Sequence, residues 1–534
     1  MQHRIVLATL NAKYIHASLG LRYLFANMGR HGGADLQACT SLREFTIHRR
    51  PQDIVDELSA TLGPAQGGAV KVVGFGIYIW NVSPSAAVIA LLKAQRPDVT
   101  IVLGGPEVSH ELSEQAIVAL AHHVITGWGD VSFPKLCRAL VHGPQPLMKV
   151  IAGEQPPLDA IVLPYAQYSD ADLAHRLVYV EASRGCPFKC EFCLSALDKT
   201  AWAFDLDAFL AEMSALYQRG ARTFKFVDRT FNLKIDASVR VLEFFLARLA
   251  AQPAEPLFVH FELVPDQLPD RLKECIARFP AGVLQFEIGI QSLNPVVQQA
   301  ISRRQDAAKT EANLRWLANQ SQAHLHADLI FGLPGESWES FGRGFDTLLS
   351  WGPHEIQLGL LKRLRGAPLA HSVSAEMVFD AEPPYTVVAT DALSPAQVQA
   401  FTRLARYWDL VANSGRFSKA LDILLDQPSP FEAFARFSHW LWQAKVRTHG
   451  LSPEDLVDAL FDYLTGPGGV PQTDARAALM ADYVASGARA RPQSLAGYLP
   501  PYRQAAATAK VGEANATSES SAHARRQNRH ASQS

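Results

Sequence analysis

What most constrains this chain is a rhythm that occurs twice along it. Short apolar runs alternate with amphipathic stretches of helical length. In the first series, Ile5-Val6-Leu7-Ala8 reads as a strand and 17–28 as a helix, with a second strand near Phe45-Thr46-Ile47. The run from Val72 to Ile79 is a third strand, followed by a helix over 84–95. Thr100-Ile101-Val102-Leu103 is a fourth strand and Val124-Ile125 a short fifth. Apolar strands separated by helices bury both faces of a parallel sheet. Residues 1–147 are therefore expected to form a doubly wound, Rossmann-like α/β domain. Ligands of such sheets bind beyond the carboxyl ends of the strands, where Gly104-Gly105-Pro106-Glu107 and Gly127-Trp128-Gly129-Asp130 fall. Each glycine run alone reads first as a simple strand-to-helix turn; together, on one edge, they point to a ligand crevice.

Residues 148–171 carry Pro156-Pro157 and Pro164 with little periodicity and read as a linker. The second series has strands at 177–181, 223–227, 257–261, 284–288, 325–330 and 355–358. Six strands with helices between them predict a partial (β/α)6 barrel over 172–374, with polar strand ends lining its mouth. Residues 375–502 lose the strand signal and show helical spacing, for example over 398–410 and 431–446. The segment 503–534 has no large aliphatic residue after Val511 and is expected to be a disordered tail.

At 534 residues the chain is long enough for about three domains. Fifty Lys and Arg against 52 Asp and Glu give a net charge of −2, which excludes a strongly basic nucleic-acid binder. The longest uncharged run, 72–92, is broken by Asn81, Ser83, Pro84 and Ser85, so it reads as strand, turn and helix rather than a membrane span. The first residues become polar too soon for a signal peptide. A cytoplasmic protein is expected, with no membrane partner.

Three of the six cysteines fall within eight residues. They stand in Arg184-Gly185-Cys186-Pro187-Phe188-Lys189-Cys190-Glu191-Phe192-Cys193, directly after the first expected barrel strand. A disulfide framework would spread them out. Three thiolates on one loop suit three corners of a cubane iron–sulfur cluster and leave one iron open. A zinc knuckle would need a fourth Cys or His close by, and the nearest downstream histidine is His260.

This Cys-x3-Cys-x2-Cys segment resembles the signature of the radical S-adenosylmethionine (SAM) superfamily. The resemblance implies a 4Fe-4S cluster on Cys186, Cys190 and Cys193. It implies SAM chelating the open iron, a 5'-deoxyadenosyl radical, and an electron donor such as flavodoxin or ferredoxin. Phe192 matches the aromatic that packs near the adenine. Segments 226–232, 287–292 and 328–336 resemble the family's strand ends. Asp228, Glu262, Glu287, Gln291, Ser292, Arg304, Gly332 and Gly335 are thereby expected to contact SAM or substrate. Carboxylates and amides there suit ammonium and hydroxyl groups, though each alone also reads as a cap or turn.

Residues 1–147 resemble the cobalamin-binding domain that precedes many radical SAM barrels. Thr9, Asn11, Tyr14, His16 and Ser18 follow strand one. Gly76, Tyr78 and Trp80 follow strand three, and Gly104, Gly105, Pro106 and Glu107 strand four. With Gly127 and Gly129, these are the expected cobalamin contacts. The Asp-x-His-x-x-Gly motif of many cobalamin enzymes is absent: Tyr14 stands where the Asp would be, and His16 reads as a helix-start residue or a ligand. Only Cys39 and Cys137 lie in this domain, which discounts a methylthiotransferase with a second cluster. The whole chain to about residue 502 resembles a subgroup with a C-terminal helical domain of unknown function.

The resemblance implies a cobalamin-dependent methyltransferase acting on an unactivated carbon. Cyclisation, rearrangement or oxidation with the same cofactors is the second reading, and a non-catalytic sensor the third. Near-neutral charge favours a small-molecule substrate over RNA. Trp408, Trp440, Trp442, Arg403 and Arg406 either shape a pocket or pack within the helical region.

Overall fold

A computed structural model describes residues 3–65, 68–198, 200–372, 377–488 and 491–499. The tail expected at 503–534 lies outside the described residues. The chain divides into two compact units. The first comprises Met1–Arg229, Lys362–Val373 and Asp380–Thr386; the second comprises Thr230–Leu361, Ser374–Phe379 and Val387–Ser534.

The first unit contains a six-stranded, wholly parallel sheet. Its strands are β1 (Arg4–Asn11), β2 (Thr40–Thr46), β3 (Lys71–Gly76), β4 (Val99–Gly104), β5 (His123–Thr126) and β6 (Val150–Ala152), in the order β2-β1-β3-β4-β5-β6. The order reverses beside β1, and such a switch point opens a crevice. Val6, Ala8, Val73, Phe75, Ile101 and Leu103 pack one face against helices Pro51–Leu62 and Val82–Gln95. Ile5, Leu7, Val72 and Val102 pack the other with Phe133, Leu136 and Cys137 of Ser132–His142. Cys137 is thus an apolar core residue, as expected of a buried thiol.

Two expectations change here. The stretch 148–171 is more than a linker: β6 pairs with β5, and Tyr165 and Tyr168 are fully buried. Three residues are too few for a periodic signal. The third strand stops at Gly76 rather than Ile79, because Asn81 pulls the chain into a turn. Its Oδ1 accepts from the Tyr78 amide at 2.8 Å, and its Nδ2 donates to Leu10 O and Gly76 O at 3.0 and 3.1 Å.

The strands of the second series are shared between the units. The first holds the parallel pair β7 (Val178–Val180) and β8 (Thr223–Phe226). The second holds β9 (Phe258–Leu263), β10 (Leu284–Gln291), β11 (His324–Phe331) and β12 (Glu355–Leu360), parallel and paired in sequence. Helices 235–251, 270–276, 307–320 and 338–350 intervene. The chain is therefore α/β, with a Rossmann-like sheet followed by the strands of a partial (β/α)6 barrel and a helical C-terminal region.

Among the described residues that region contains five helices of eight residues or more, from Pro395–Val411 to Gln472–Ala485. Within the second unit it covers β12. Asn413 Oδ1 accepts from the Ile356 amide, and its Nδ2 and Trp408 Nε1 both donate to Ile356 O at 2.9 Å. An edge strand is thereby kept from pairing elsewhere. Phe401 stacks on Phe331 with centroids 3.9 Å apart. Trp408 is core, and Arg403 lies over the Trp442 ring at 5.0 Å, so these residues pack rather than form a pocket. No helix among the described residues is long and apolar enough to cross a membrane.

Candidate functional site

A cavity of 760 Å³ opens within the first unit, at the carboxyl edge of the Rossmann-like sheet. The loops after β1, β3, β4 and β5 line it with Asn11, His16, Ser18, Gly76, Tyr78, Trp80, Gly104, Gly105, Gly127 and Gly129. Ten of the fourteen residues expected at the corrin therefore share one cavity. Gly105 has φ +110°, and a Cβ there would run into the Ile77 carbonyl, so only glycine lets the two loops meet. Tyr78 and Trp80 stack at 4.4 Å.

The other four lie elsewhere, for identifiable reasons. Thr9 is buried and donates to Gly76 O at 2.9 Å. Tyr14 is exposed beneath the Arg176 guanidinium. Pro106 is exposed at the start of a tight turn. Glu107 turns away to accept from Tyr385 Oη at 2.9 Å and Arg365 Nε at 3.1 Å. Glycine runs were legible in the sequence; which neighbouring side chain pointed into the crevice was not. His16 is held by a 2.7 Å hydrogen bond between its Nδ1 and Tyr179 Oη.

Residues that the sequence reading had not assigned to the cavity complete its wall: Tyr179, Glu181, Arg184, Gly185, Asp198 and Arg229. Tyr179 stands in β7, and the others follow β7 or β8 and flank the cysteine loop. The loop is closed at its base by an antiparallel ribbon, Ser183–Arg184 against Trp202–Ala203. Gly185, at φ +90°, approaches the Thr200 carbonyl and lies against the Trp202 ring. Asp228 braces the loop's entry: its carboxylate accepts from the Ala182 amide at 3.0 Å and Ser183 Oγ at 2.6 Å. Burial pushes the Asp228 carboxyl up to about 7. Both bonds fix the start of the loop.

Cys186, Cys190 and Cys193 all stand on this loop outside any disulfide, the first two buried. The Cys193 amide donates to Cys190 O at 3.1 Å. Burial, then the neighbouring Cys193 and Cys190 thiols, raise the Cys186 pKa, while a backbone hydrogen bond from Phe188 and the Arg229 charge lower it. Among the described residues no three His, Cys, Asp or Glu side chains are already converged as a metal site. Phe192 is half-buried on the same loop.

The second unit carries the remaining expected residues. Glu262 and Glu287 are register partners on β9 and β10, and Glu287 faces His326 on β11. His260 Nε2 lies 3.0 Å from Glu287 Oε2, and His326 Nε2 3.8 Å from Asp328 Oδ1. These four strands contain no Lys or Arg. Their half-buried polar face is thus acidic, suited to ammonium and hydroxyl donors. Gln291 closes β10 at φ +71° beside a break in register, a strained backbone of the kind that collects at functional sites. Ser292 is committed elsewhere, donating to the buried Glu336 at 2.9 Å. Arg304 is exposed in a polar groove with Arg303, Gln298 and Asp306. Gly332 and Gly335 turn the chain after β11 with φ +92° and +73°.

Residues 180–348 match the radical SAM superfamily, and residues 375–530 match a family described as a protein of unknown function, DUF4080. The chain therefore contains a radical SAM domain over residues 180–348. A Rossmann-like sheet precedes that domain, and the helical region that follows it falls in the match to the family of unknown function. Similar curated proteins include the 2-(S-pantetheinyl)-carbapenam-3-carboxylate methyltransferase of Streptantibioticus cattleyicolor, 23% identical over 317 residues, covering 53% of this chain and 45% of the relative. The cobalamin-dependent radical SAM methyltransferase TokK of Streptomyces tokunonensis is 24% identical over 329 residues, covering 54% and 47%. The chain thus spans about half the length of the curated relatives it matches. Among solved structures, the radical SAM methyltransferase TsrM of Kitasatospora setae, with cobalamin and a 4Fe-4S cluster bound, has a TM-score of 0.55 at 16% identity, covering 74% of this chain and 84% of that one. The cobalamin-dependent SAM radical enzyme OxsB has a TM-score of 0.59 at 12% identity, covering 90% and 79%. Both share its fold.

Proposed function

We propose that this protein is a cobalamin-dependent radical SAM methyltransferase that acts on an unactivated carbon of a small molecule. The observation that carries the reading is the single cavity whose wall joins the glycine loops of the Rossmann-like sheet to Arg184, Gly185 and Arg229 beside the cysteine loop. Its residues suit a corrin: glycines that admit close approach, apolar side chains such as Leu19, Leu24 and Phe133, and polar groups at Asn11, His16 and Ser18. Three thiols on one loop, none in a disulfide and with no fourth ligand in the motif, suit a cluster with an open iron.

When bound, these cofactors would supply the deoxyadenosyl radical and the methyl donor. The chain's own work is positioning. Cys186, Cys190 and Cys193 would hold the cluster. The acidic face of β9–β11, with Glu262 and Glu287, offers acceptors to the SAM ammonium and ribose hydroxyls. Gln291, Arg304 and the Gly332–Gly335 turn are further candidates for SAM contact.

The test is anaerobic reconstitution with iron, sulfide, cobalamin, SAM and a strong reductant, with nucleosides quantified by mass spectrometry. 5'-Deoxyadenosine and S-adenosylhomocysteine are expected together, and both should vanish in Cys186→Ala. Deoxyadenosine without S-adenosylhomocysteine would overturn methyl transfer in favour of another radical outcome. Cluster-loaded protein that cleaves no SAM, even with extracts of small molecules supplied, would overturn the enzyme reading.

A further inference from the structure

Resting on that reading, we propose that Asp130 and Arg184 are positioning residues that make uptake of the corrin and of the cluster cooperative. Arg184 immediately precedes Gly185-Cys186, and Asp130 ends the glycine loop after β5. Their side chains meet in a two-pronged pair: Arg184 NH1 and NH2 donate to Asp130 Oδ2 and Oδ1 at 2.9 and 3.2 Å. Arg184 Nε donates to Glu181 Oε1 at 2.7 Å. The guanidinium also sits against three rings, Tyr23 at 4.2 Å, Trp128 at 4.9 Å and Phe204 at 5.7 Å. Trp128, from the same glycine loop, meets Trp202 of the ribbon edge to face at 5.9 Å. The corrin-side loop and the base of the cysteine loop are therefore joined by a charge pair and by an aromatic contact.

Both partners are largely buried, with Asp130 7% and Arg184 14% exposed at the side chain. Separating the two loops would strip the desolvated Asp130 carboxylate of the Arg184 fork and leave Arg184 with Glu181 alone, which is far costlier than moving both loops together. A loop that carries three thiols loses conformational freedom when a cluster binds it. Whatever that ordering fixes at Arg184 is also fixed at Asp130, and so along Gly127–Asp130, which line the cavity. The second cofactor then pays less to order its own loop. Linkage makes the effect reciprocal, and couplings of this kind run from about 5-fold to about 150-fold.

The experiment uses the full-length chain, with and without a reconstituted cluster. Hydroxocobalamin affinity is titrated by absorbance in each state, with backbone hydrogen exchange followed over 127–131. Wild type should bind hydroxocobalamin about 10-fold more tightly when the cluster is present, with slower exchange over those residues. In Asp130→Asn both differences should collapse toward none, while iron content after reconstitution stays at the wild-type level. Arg184→Lys keeps the charge but not the fork, and should behave alike. Asp130→Glu, which keeps the carboxylate, should restore part of the coupling. An undiminished coupling in Asp130→Asn and Arg184→Lys, or none in wild type, overturns the proposal. A wild-type chain that binds no hydroxocobalamin in either state overturns the functional reading, and the coupling with it.

Discussion

Asp228 shows how one side chain can carry a pH signature while bracing a loop. Its carboxyl is held at about 7 against an ordinary 3.8, chiefly by burial. The folded chain therefore binds this proton more tightly than the unfolded one. The stability it contributes is full below about pH 4 and is lost as the pH rises through about 7. Asp228→Asn should remove that slope, so urea unfolding between about pH 5 and about pH 8 should show a smaller fall in stability than wild type. Parallel profiles would contradict the assignment. Gly185 is the complementary case, a backbone constraint. Gly185→Ala puts a Cβ against the Thr200 carbonyl at positive φ and is expected to cost about 1–3 kcal/mol. Iron bound per chain after reconstitution should fall with it.

At the level of elements, the turn from β1 into helix Leu19–Asn27 is set by a residue from a neighbouring strand. Glu44 on β2 accepts from Asn11 Nδ2 at 3.0 Å, the Ser18 amide at 2.5 Å and Arg176 NH1 at 2.6 Å. Arg22, 1% exposed, donates to it at 2.8 Å. This buried network orients the stretch that carries His16. Glu44→Gln leaves Arg22 and Arg176 undercompensated and should lower unfolding stability by about 3–5 kcal/mol, read by urea denaturation. Glu44 was invisible in the sequence because it sits on a strand whose start lacks an apolar run. Strand existence was legible: every core strand that the periodicity marks is present, since apolar residues have to be buried wherever they fall. Strand ends were not. β9 and β10 extend past the apolar stretch to Leu263 and Gln291, because pairing continues through polar residues. The cysteine spacing and the glycine turns were equally plain. What escaped was the set of long-range partners, such as Asn81, Tyr179 and Arg365, whose role depends on residues far away in sequence.

The whole molecule has a chain path that no local pattern reveals. After β12 the chain re-enters the first unit. There Arg363 pairs with Glu111 at 2.8 Å, and Arg365 pairs with Glu107 and Glu111 at 3.1 and 3.0 Å. Gly366, at φ +81°, lies against the His110 ring. Arg365→Ala should loosen this return pass, and limited proteolysis should cut within 362–386 faster than in wild type. Equal cleavage rates would show that Arg363 alone secures it. The pass also orders events during synthesis. Glu107 and Glu111 are made early, but Arg363 stands 252 residues after Glu111. At roughly 5–20 residues per second, the ribosome leaves the Glu111 carboxylate without that partner for roughly 13–50 seconds. The first unit can therefore be finished only after residues 230–361 of the second have been made.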